Sequence, residues 1–91
     1  MKKLRCALVG ATGLAGQQFI AALKDHPFFE LTGLAASPRN AGKRYVDALK
    51  APSGMLGWFL TEPIPAALAN MTVVAGSDVK AKDFDLVFSA V

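Results

Sequence analysis

Three glycines near the amino terminus stand at a spacing that suits phosphate binding. Residues 10–16 read G-A-T-G-L-A-G, and they connect the apolar run at residues 4–9 to a helical pattern. In that context Gly10 permits a tight turn, Gly13 lets a diphosphate approach the backbone, and Gly16 lets the helix pack close to the sheet. The motif therefore predicts a nucleotide-binding turn between a strand and a helix.

The backbone of this turn supplies the chemistry. The N–H groups of Thr12, Gly13, Leu14 and Ala15 lie where the chain enters the helix. The first N–H groups of a helix have no partner within it, and the helix dipole favours an anion there. We expect the Thr12 hydroxyl either to contact a phosphate or to cap the helix.

The residues after the second predicted strand distinguish NAD(H) from NADP(H). An NAD site places Asp or Glu about twenty residues past the glycines, where the carboxylate holds the ribose 2′-hydroxyl. No acidic residue occurs at positions 31–46, which offer Ser37, Arg39, Lys43 and Arg44 instead. A cation and a hydroxyl suit a 2′-phosphate. We therefore expect NADP as cofactor, with Ser37 and Arg39 as contacts.

The elements that must position these groups follow from the hydrophobic pattern. The order strand, helix, strand, loop, strand, strand predicts an α/β fold, a Rossmann-like doubly wound parallel sheet with strand order 3-2-1-4. Strands are predicted at residues 4–9, 29–36, 72–76 and 84–91, and helices at 13–24, 44–49 and 65–69. Residues 50–65 are expected to be irregular, with Trp58 and Phe59 covering a thin core.

Two small residues complete the predicted cofactor site. Ser89 and Ala90 lie at the carboxyl end of the fourth predicted strand. In open parallel sheets a ligand occupies the crevice beyond the carboxyl ends of the strands, and small residues leave room for it there. We include both residues among the cofactor contacts, although close packing alone would also explain them.

Composition excludes most other chemistries. Ten Lys+Arg against seven Asp+Glu give a net charge of +3, which is too weak to indicate nucleic-acid binding. One cysteine and one histidine rule out a cysteine-rich metal site and most nucleophile–histidine pairs within this chain. We expect no catalytic and no metal-ligating residue: Cys6 lies in a buried strand and His26 ends a helix. No membrane span or signal peptide is expected, which favours a cytoplasmic protein.

The lack of cover for the fourth predicted strand indicates that the sheet is incomplete. A parallel strand needs cover on both faces and a neighbour at each edge, and no helix follows residues 84–91. We therefore expect residues 1–91 to be the N-terminal part of an NAD(P)-binding Rossmann domain, with the catalytic and dimerisation domain absent.

Longer stretches of the sequence resemble a known family. GATGLAGQ, DHPFFELTGLAAS, RNAGKRY, the WF and IP pairs, MTVV and DLVFSA are together similar to aspartate-semialdehyde dehydrogenases of the archaeal and fungal branch. The resemblance spans nearly all 91 residues, and the loop AASPRNAGK is its most specific part. Asn40 departs from the serine that is common in that loop.

The resemblance implies an enzyme that reduces aspartyl 4-phosphate to aspartate semialdehyde with NADPH and releases phosphate, in the biosynthesis of lysine, threonine and methionine. It implies a cysteine that forms a thioester and a histidine as acid/base, both in a later part of the family's chain, and a homo-oligomer. Gly10, Thr12, Gly13, Leu14 and Ala15 match the pyrophosphate turn of the family. Ser37 and Arg39 match its 2′-phosphate loop, and Ser89 and Ala90 match the strand end beside the cofactor.

Three alternatives stay open. N-acyl-glutamyl-phosphate reductase and malonyl-CoA reductase share the scaffold and the thioester chemistry, although Gln17 and the AASPR loop favour the first assignment. A non-catalytic nucleotide-binding module and a fragment that only folds, with a vestigial site, are the others.

Residues 1–91 alone are expected to show no dehydrogenase activity, because no residue among them matches the catalytic cysteine or histidine. The measurement is NADPH oxidation with aspartyl 4-phosphate as substrate. Measurable turnover by these residues alone would contradict the assignment of the nucleophile to another part of the family's chain.

Overall fold

A four-stranded parallel sheet forms the centre of the molecule. The computed structural model describes residues 3–50, 53–61 and 63–90. The strands are β1 (Leu4–Val9), β2 (Phe29–Ala36), β3 (Val73–Ala75) and β4 (Leu86–Ser89), and the helices are α1 (Leu14–Leu23), α2 (Tyr45–Ala48) and α3 (Ala66–Ala69). The strand order is β3-β2-β1-β4 with every pair parallel, so the predicted Rossmann-like order is confirmed.

Strand β1 is interior because its residues are apolar on both faces. Cys6, Ala7 and Leu8 are fully buried between β2 and β4. The pairing of β1 with β2 shifts by one residue, since Cys6 pairs with Leu31 whereas Ala7 pairs with Gly33. Beyond this irregularity the two strands run in register to their carboxyl ends, where the chain turns into the glycine motif.

Helix α1 packs on the sheet through one narrow stripe. Gly16, Gln17 and Ile20 are its buried residues, at the i, i+1, i+4 spacing of a single helix face. The helix begins at Leu14 and ends at Leu23, one residue inside the prediction at each end. The chain then reverses through Asp25, whose φ of +56° is left-handed.

The core lies between the sheet and the short segments that follow β2. Its buried members come from β1, β2, β3, the three helices, the turn after β1 and the residue that follows α2: Leu8, Ala11, Ile20, Leu34, Ala36, Tyr45, Leu49, Leu68 and Val73. Trp58 packs against this cluster as expected. Phe59 does not, because 70% of its surface is exposed, so the expectation that both aromatics cover the core was wrong for Phe59.

The later strands are shorter than predicted. β3 has three residues and β4 has four, and residue 91, the last predicted residue of β4, lies outside the described residues. Two 3₁₀ turns, Gly76–Asp78 and Ala81–Asp83, lie between these strands. Leu86 and Val87 of β4 are exposed, at 38% and 46%. Among the described residues, no helix has the length and apolar character needed to cross a bilayer.

Replacement of Gly16 by Ala should destabilise the fold. A Cβ at Gly16 would lie 2.2 Å from the carbonyl oxygen of Gly10 and 2.9 Å from the Cα of Ala11, which are backbone atoms that cannot move alone. We expect a loss of about 2 kcal/mol or more in the free energy of unfolding, despite the better helix propensity of Ala. Urea denaturation measures it.

Gly13→Ala is the matched control for this variant. A Cβ at Gly13 would meet only the Gly10 carbonyl oxygen at 3.8 Å, an ordinary contact, and its φ of −79° suits any residue. We expect its stability to stay within about 1 kcal/mol of the wild type. Equal losses in both variants would show that the close approach at Gly16 does not limit the packing of α1.

Candidate functional site

The glycine turn begins where β1 passes the end of β2. Gly10 has a φ of +83°, a conformation that glycine adopts without strain. The N–H groups of Gly10 and Ala11 both donate to the Ala35 carbonyl, each at 3.0 Å. These bonds fix the turn to the carboxyl edge of the sheet, where the sequence predicts that ligands bind.

Every carbonyl group of residues 10–13 is engaged inside the protein. The Gly10 oxygen accepts from the Gly13 N–H at 3.3 Å, and the Gly13 oxygen accepts from the Gln17 N–H at 3.0 Å. The Ala11 oxygen accepts from the Tyr45 hydroxyl at 2.6 Å. The Thr12 oxygen accepts from Nε2 of Gln17 at 3.2 Å. The turn therefore directs its hydrogen-bond acceptors into the protein.

The donors of the same turn are left open. Within the described part of the chain, the N–H groups of Thr12, Leu14 and Ala15 have no intramolecular acceptor. Leu14 and Ala15 are exposed and Thr12 is half-buried, so a ligand can reach these groups. Gly13 occupies the cap position of α1 and no side chain caps the helix, so the Thr12 hydroxyl does not serve as a cap. A surface with open N–H groups and satisfied carbonyls suits an anion.

A basic loop follows β2, as the sequence predicts. Ser37 precedes a 3₁₀ turn at Pro38–Asn40, and the Asn40 side-chain amide donates to the Ser37 hydroxyl at 3.5 Å. Asn40 is buried, whereas Ser37 and Arg39 are exposed. The shorter bonds of this turn belong to the backbone, from the Asn40 N–H to the Ser37 oxygen at 2.9 Å and from the Ala41 N–H to the Pro38 oxygen at 3.1 Å.

The cations of this loop divide into two groups. Nε of Arg44 lies 2.8 Å from Oδ2 of Asp47, and this hydrogen bond and charge hold the pKa of the Asp47 carboxyl below its usual value. Arg44 is thereby committed to a surface ion pair. Arg39 and Lys43 have no carboxylate partner among the residues that the structure describes. Their charges are the ones open to an anionic ligand.

A cavity of about 580 Å³ joins the glycine turn to the basic loop. This volume lies in the range of small-molecule sites. The cavity is bounded by the turn, the loop, the end of α2 and the segment around Phe59: Thr12, Arg39, Asn40, Lys43, Ala48, Leu49, Lys50, Gly57 and Phe59. Three cations line it, of which Lys50 has its Nζ 3.4 Å from Oδ1 of Asp47, and no carboxylate lines it among the described residues.

The predicted site residues are only partly assembled around this cavity. Thr12 and Arg39 line it together, while its lining does not include Gly10, Gly13, Leu14, Ala15 or Ser37. Ser89 pairs with Val9, and the Ala90 N–H donates to the Val9 carbonyl at 2.9 Å, which places both residues at the sheet edge from which the turn departs. They also lie outside the cavity lining.

Two residues important for the site were missed as such by sequence reasoning. Tyr45 and Gln17 are fully buried and hold the turn carbonyls, and Gln17 also donates to the Gly57 oxygen at 2.7 Å and accepts from the Phe59 N–H at 2.8 Å. A signal for Gln17 was present, since it lies on the same helix face as Gly13 and Ile20 and a buried amide requires partners. No comparable pattern marks Tyr45.

The two residues expected to be structural behave as such. Cys6 is buried in β1, and burial raises the pKa of its thiol, so the thiolate is disfavoured. Nδ1 of His26 accepts from the N–H groups of Phe28 and Phe29, at 3.0 Å and 3.3 Å, and so closes the turn after α1.

Comparison with known proteins gives one family. The family model described as semialdehyde dehydrogenase, NAD binding domain, matches residues 5–91. Relatives called aspartate-semialdehyde dehydrogenase are similar at 39% identity over 87 residues in Trichophyton rubrum and at 42% over 83 residues in Methanothermobacter thermautotrophicus. These alignments cover 96% and 91% of this chain and 22% of each relative, so the chain spans about a fifth of their length.

A solved structure agrees with the sequence comparison. The crystal structure of aspartate-semialdehyde dehydrogenase with NADP from Candida albicans is similar with a TM-score of 0.82 at 35% identity. The match covers 99% of this chain and 24% of that one. The sheet and the glycine turn thus have the architecture of that enzyme's corresponding part.

The buried hydroxyl at the turn predicts an abnormal titration. Burial raises the pKa of Tyr45, the single tyrosine of the chain, above its ordinary value. In the folded protein we expect no phenolate near pH 10, whereas in urea the phenolate should appear at about pH 10. The ultraviolet absorbance of the phenolate measures this titration, because Tyr45 is the single tyrosine.

The sign of the linked effect on stability follows. Folding favours the protonated phenol, so the contribution of Tyr45 is complete below the unfolded pKa and falls as the pH rises above about 10. Relative to Tyr45→Phe, the wild type should lose unfolding free energy above that pH. A phenolate that titrates near pH 10 in the folded protein would contradict the buried hydrogen bond.

Proposed function

The chain belongs to the semialdehyde dehydrogenase family as its NAD-binding domain, and from this membership we propose that it is the NADP-binding segment of an aspartate-semialdehyde dehydrogenase. The relatives reported above carry that name, and the similar solved enzyme was crystallised with NADP. In this proposal the chain forms the N-terminal part of a Rossmann domain, and the substrate domain belongs to another part of the protein.

One observation carries the cofactor assignment. Thr12 of the glycine turn and the basic loop border the same cavity, which Arg39 and Lys43 line without a carboxylate partner and which no carboxylate lines among the described residues. A carboxylate would hold a ribose 2′-hydroxyl and repel a 2′-phosphate, whereas a guanidinium binds the phosphate with charge-assisted hydrogen bonds. The cavity therefore supports NADP over NAD.

We assign the cofactor contacts as follows. The turn residues Gly10, Thr12, Gly13, Leu14 and Ala15 take the diphosphate, with the open N–H groups as donors. Arg39 takes the 2′-phosphate, and Ser37 contributes its hydroxyl from the start of the same 3₁₀ turn. Ser89 and Ala90 border the cofactor where β4 ends beside Val9.

The cofactor supplies a hydride to the reacting carbon when bound. The described residues bind and orient the nucleotide, and we assign none of them a covalent step. Cys6, the single cysteine of the chain, is buried in β1 with a raised thiol pKa, so it is unsuited to attack an acyl phosphate. The nucleophile and the acid/base group are proposed to belong to the substrate domain.

The proposal for the whole protein follows the name of its relatives. In this proposal the whole protein reduces aspartyl 4-phosphate, a small molecule, to aspartate semialdehyde and releases phosphate. The protein is proposed to be a cytoplasmic homo-oligomer. The reverse reaction gives a direct test, since aspartate semialdehyde, phosphate and NADP should together produce NADPH absorbance. Equal NADPH production with a glutamate-derived semialdehyde in place of aspartate semialdehyde would contradict the substrate assignment.

Loss of the guanidinium should alter cofactor preference. We expect Arg39→Ala to weaken NADPH binding about tenfold and to leave NADH within about twofold, because only NADPH carries the 2′-phosphate. Calorimetric titration of the intact protein with both nucleotides measures the two affinities.

Lys24→Ala is the charge-matched control for Arg39→Ala. Lys24 lines a separate cavity of about 560 Å³ beside the opposite end of α1, together with Pro63 and Phe29. Lys24→Ala changes the net charge by the same amount as Arg39→Ala and should leave the affinities for NADPH and NADH unchanged. An equal loss of NADPH and NADH binding in Arg39→Ala would place Arg39 outside the 2′-phosphate site.

A further inference from the structure

The peptide groups of the glycine turn are oriented by two side chains from outside the motif. The Tyr45 hydroxyl, which projects from the first residue of α2, donates to the Ala11 carbonyl at 2.6 Å. Nε2 of Gln17, on the buried face of α1, donates to the Thr12 carbonyl at 3.2 Å. Both side chains are fully buried, and the bond from Tyr45 to Ala11 is buried as well, whereas the bond from Gln17 to Thr12 is partly buried.

The first bond determines the direction of an N–H group. In a trans peptide the C=O and N–H bonds are coplanar and point in opposite directions. The Ala11 carbonyl and the Thr12 N–H belong to one such plane, and Tyr45 holds the carbonyl inside the protein. The Thr12 N–H is thereby turned outward, and Thr12 lines the cavity.

The second bond fixes the next peptide group from both sides. The Thr12 carbonyl is held by Gln17, and the Gly13 N–H of the same peptide donates to the Gly10 oxygen at 3.3 Å. This peptide cannot rotate to direct its carbonyl oxygen at a ligand unless it loses both bonds. A carbonyl dipole facing a diphosphate would repel it, because its negative end would meet the negative charge.

We propose that Tyr45 and Gln17 are positioning residues for the nucleotide diphosphate, which hold the turn carbonyls inside so that only N–H groups face the ligand. This role rests on the proposed function, since it requires a nucleotide at the turn. Neither residue contacts the diphosphate in this proposal, and both act through the backbone of residues 11–13.

Gln17 has a second task in the same arrangement. Its Nε2 also donates to the Gly57 carbonyl at 2.7 Å, and its Oε1 accepts from the Phe59 N–H at 2.8 Å. Gly57 and Phe59 line the cavity. One buried amide thus links the turn to the opposite wall, so the position of that wall depends on the turn that binds the diphosphate.

The test separates the diphosphate from the rest of the nucleotide. NADPH carries the diphosphate, whereas 2′-AMP carries only the adenosine and its 2′-phosphate. In calorimetric titrations of the intact protein, we expect Tyr45→Phe to weaken NADPH binding about five- to tenfold and to leave 2′-AMP within about twofold. The variant keeps the aromatic ring at this position, whose centroid lies 6.5 Å from the centroid of the Trp58 ring. The retained ring contact favours correct folding.

Gln17→Met provides the second variant. It retains the length of the side chain and removes all three hydrogen bonds, so NADPH binding should fall at least as far as in Tyr45→Phe. Ile20→Val is the stability control, because it removes one methylene group from the same buried face of α1 without touching the turn. It should lower the melting temperature and leave the ratio of NADPH to 2′-AMP affinity unchanged.

The outcomes distinguish the positioning role from the proposed function. Unchanged NADPH binding in both variants overturns the positioning role, and unchanged binding in one overturns it for that residue. An equal loss of NADPH and 2′-AMP binding overturns it too, because that result shows a general loss of structure in the cavity. A wild-type protein that binds neither ligand shows instead that the proposed function is wrong, and the positioning role is then wrong with it.

Discussion

Helix α1 lies against the backbone of the glycine turn because residue 16 has no side chain. A Cβ there would lie 2.2 Å from the Gly10 oxygen, so the backbone of the helix and the backbone of the turn are in contact. This contact fixes the direction in which α1 leaves the sheet, and that direction places Gln17 beside the Thr12 carbonyl and Ile20 in the core. The open N–H groups of the first turn therefore have a defined position at the carboxyl edge of the sheet.

The same constraint separates donors from acceptors at the site. The carbonyls of residues 10–13 face protein donors, whereas the N–H groups of Thr12, Leu14 and Ala15 face outward in the described part of the chain. The cations Arg39 and Lys43 belong to a different loop, yet they border the same cavity as Thr12 because parallel strands bring their carboxyl ends together. Backbone dipoles and side-chain charges thus favour an anion in one place without a direct contact between them.

The sequence was sufficient for those features that depend on local chemistry. The apolar runs predicted all four strands and the glycines predicted the turn, because each of these requirements acts on adjacent residues. The strand order followed from the doubly wound pattern that alternating strands and helices indicate. The ends of β3 and β4 and the exposure of Phe59 were not predicted correctly, since pairing partners and tertiary packing decide them. Tyr45 was missed for the same reason: its hydroxyl bonds to a residue 34 positions away, and no spacing rule connects the two.

Tyr45 also shows why the stability of this fold and the orientation of its site are inseparable. Helix α2 has only four residues, which is too short to persist without tertiary contacts. Its first residue supplies those contacts, with the N–H of Tyr45 donating to the Met71 oxygen at 2.9 Å and its ring buried in the core. The hydroxyl at the far end of the same side chain holds the Ala11 carbonyl. A change that loosens α2 therefore reaches the glycine turn directly through this side chain, although α2 contains no part of the phosphate motif.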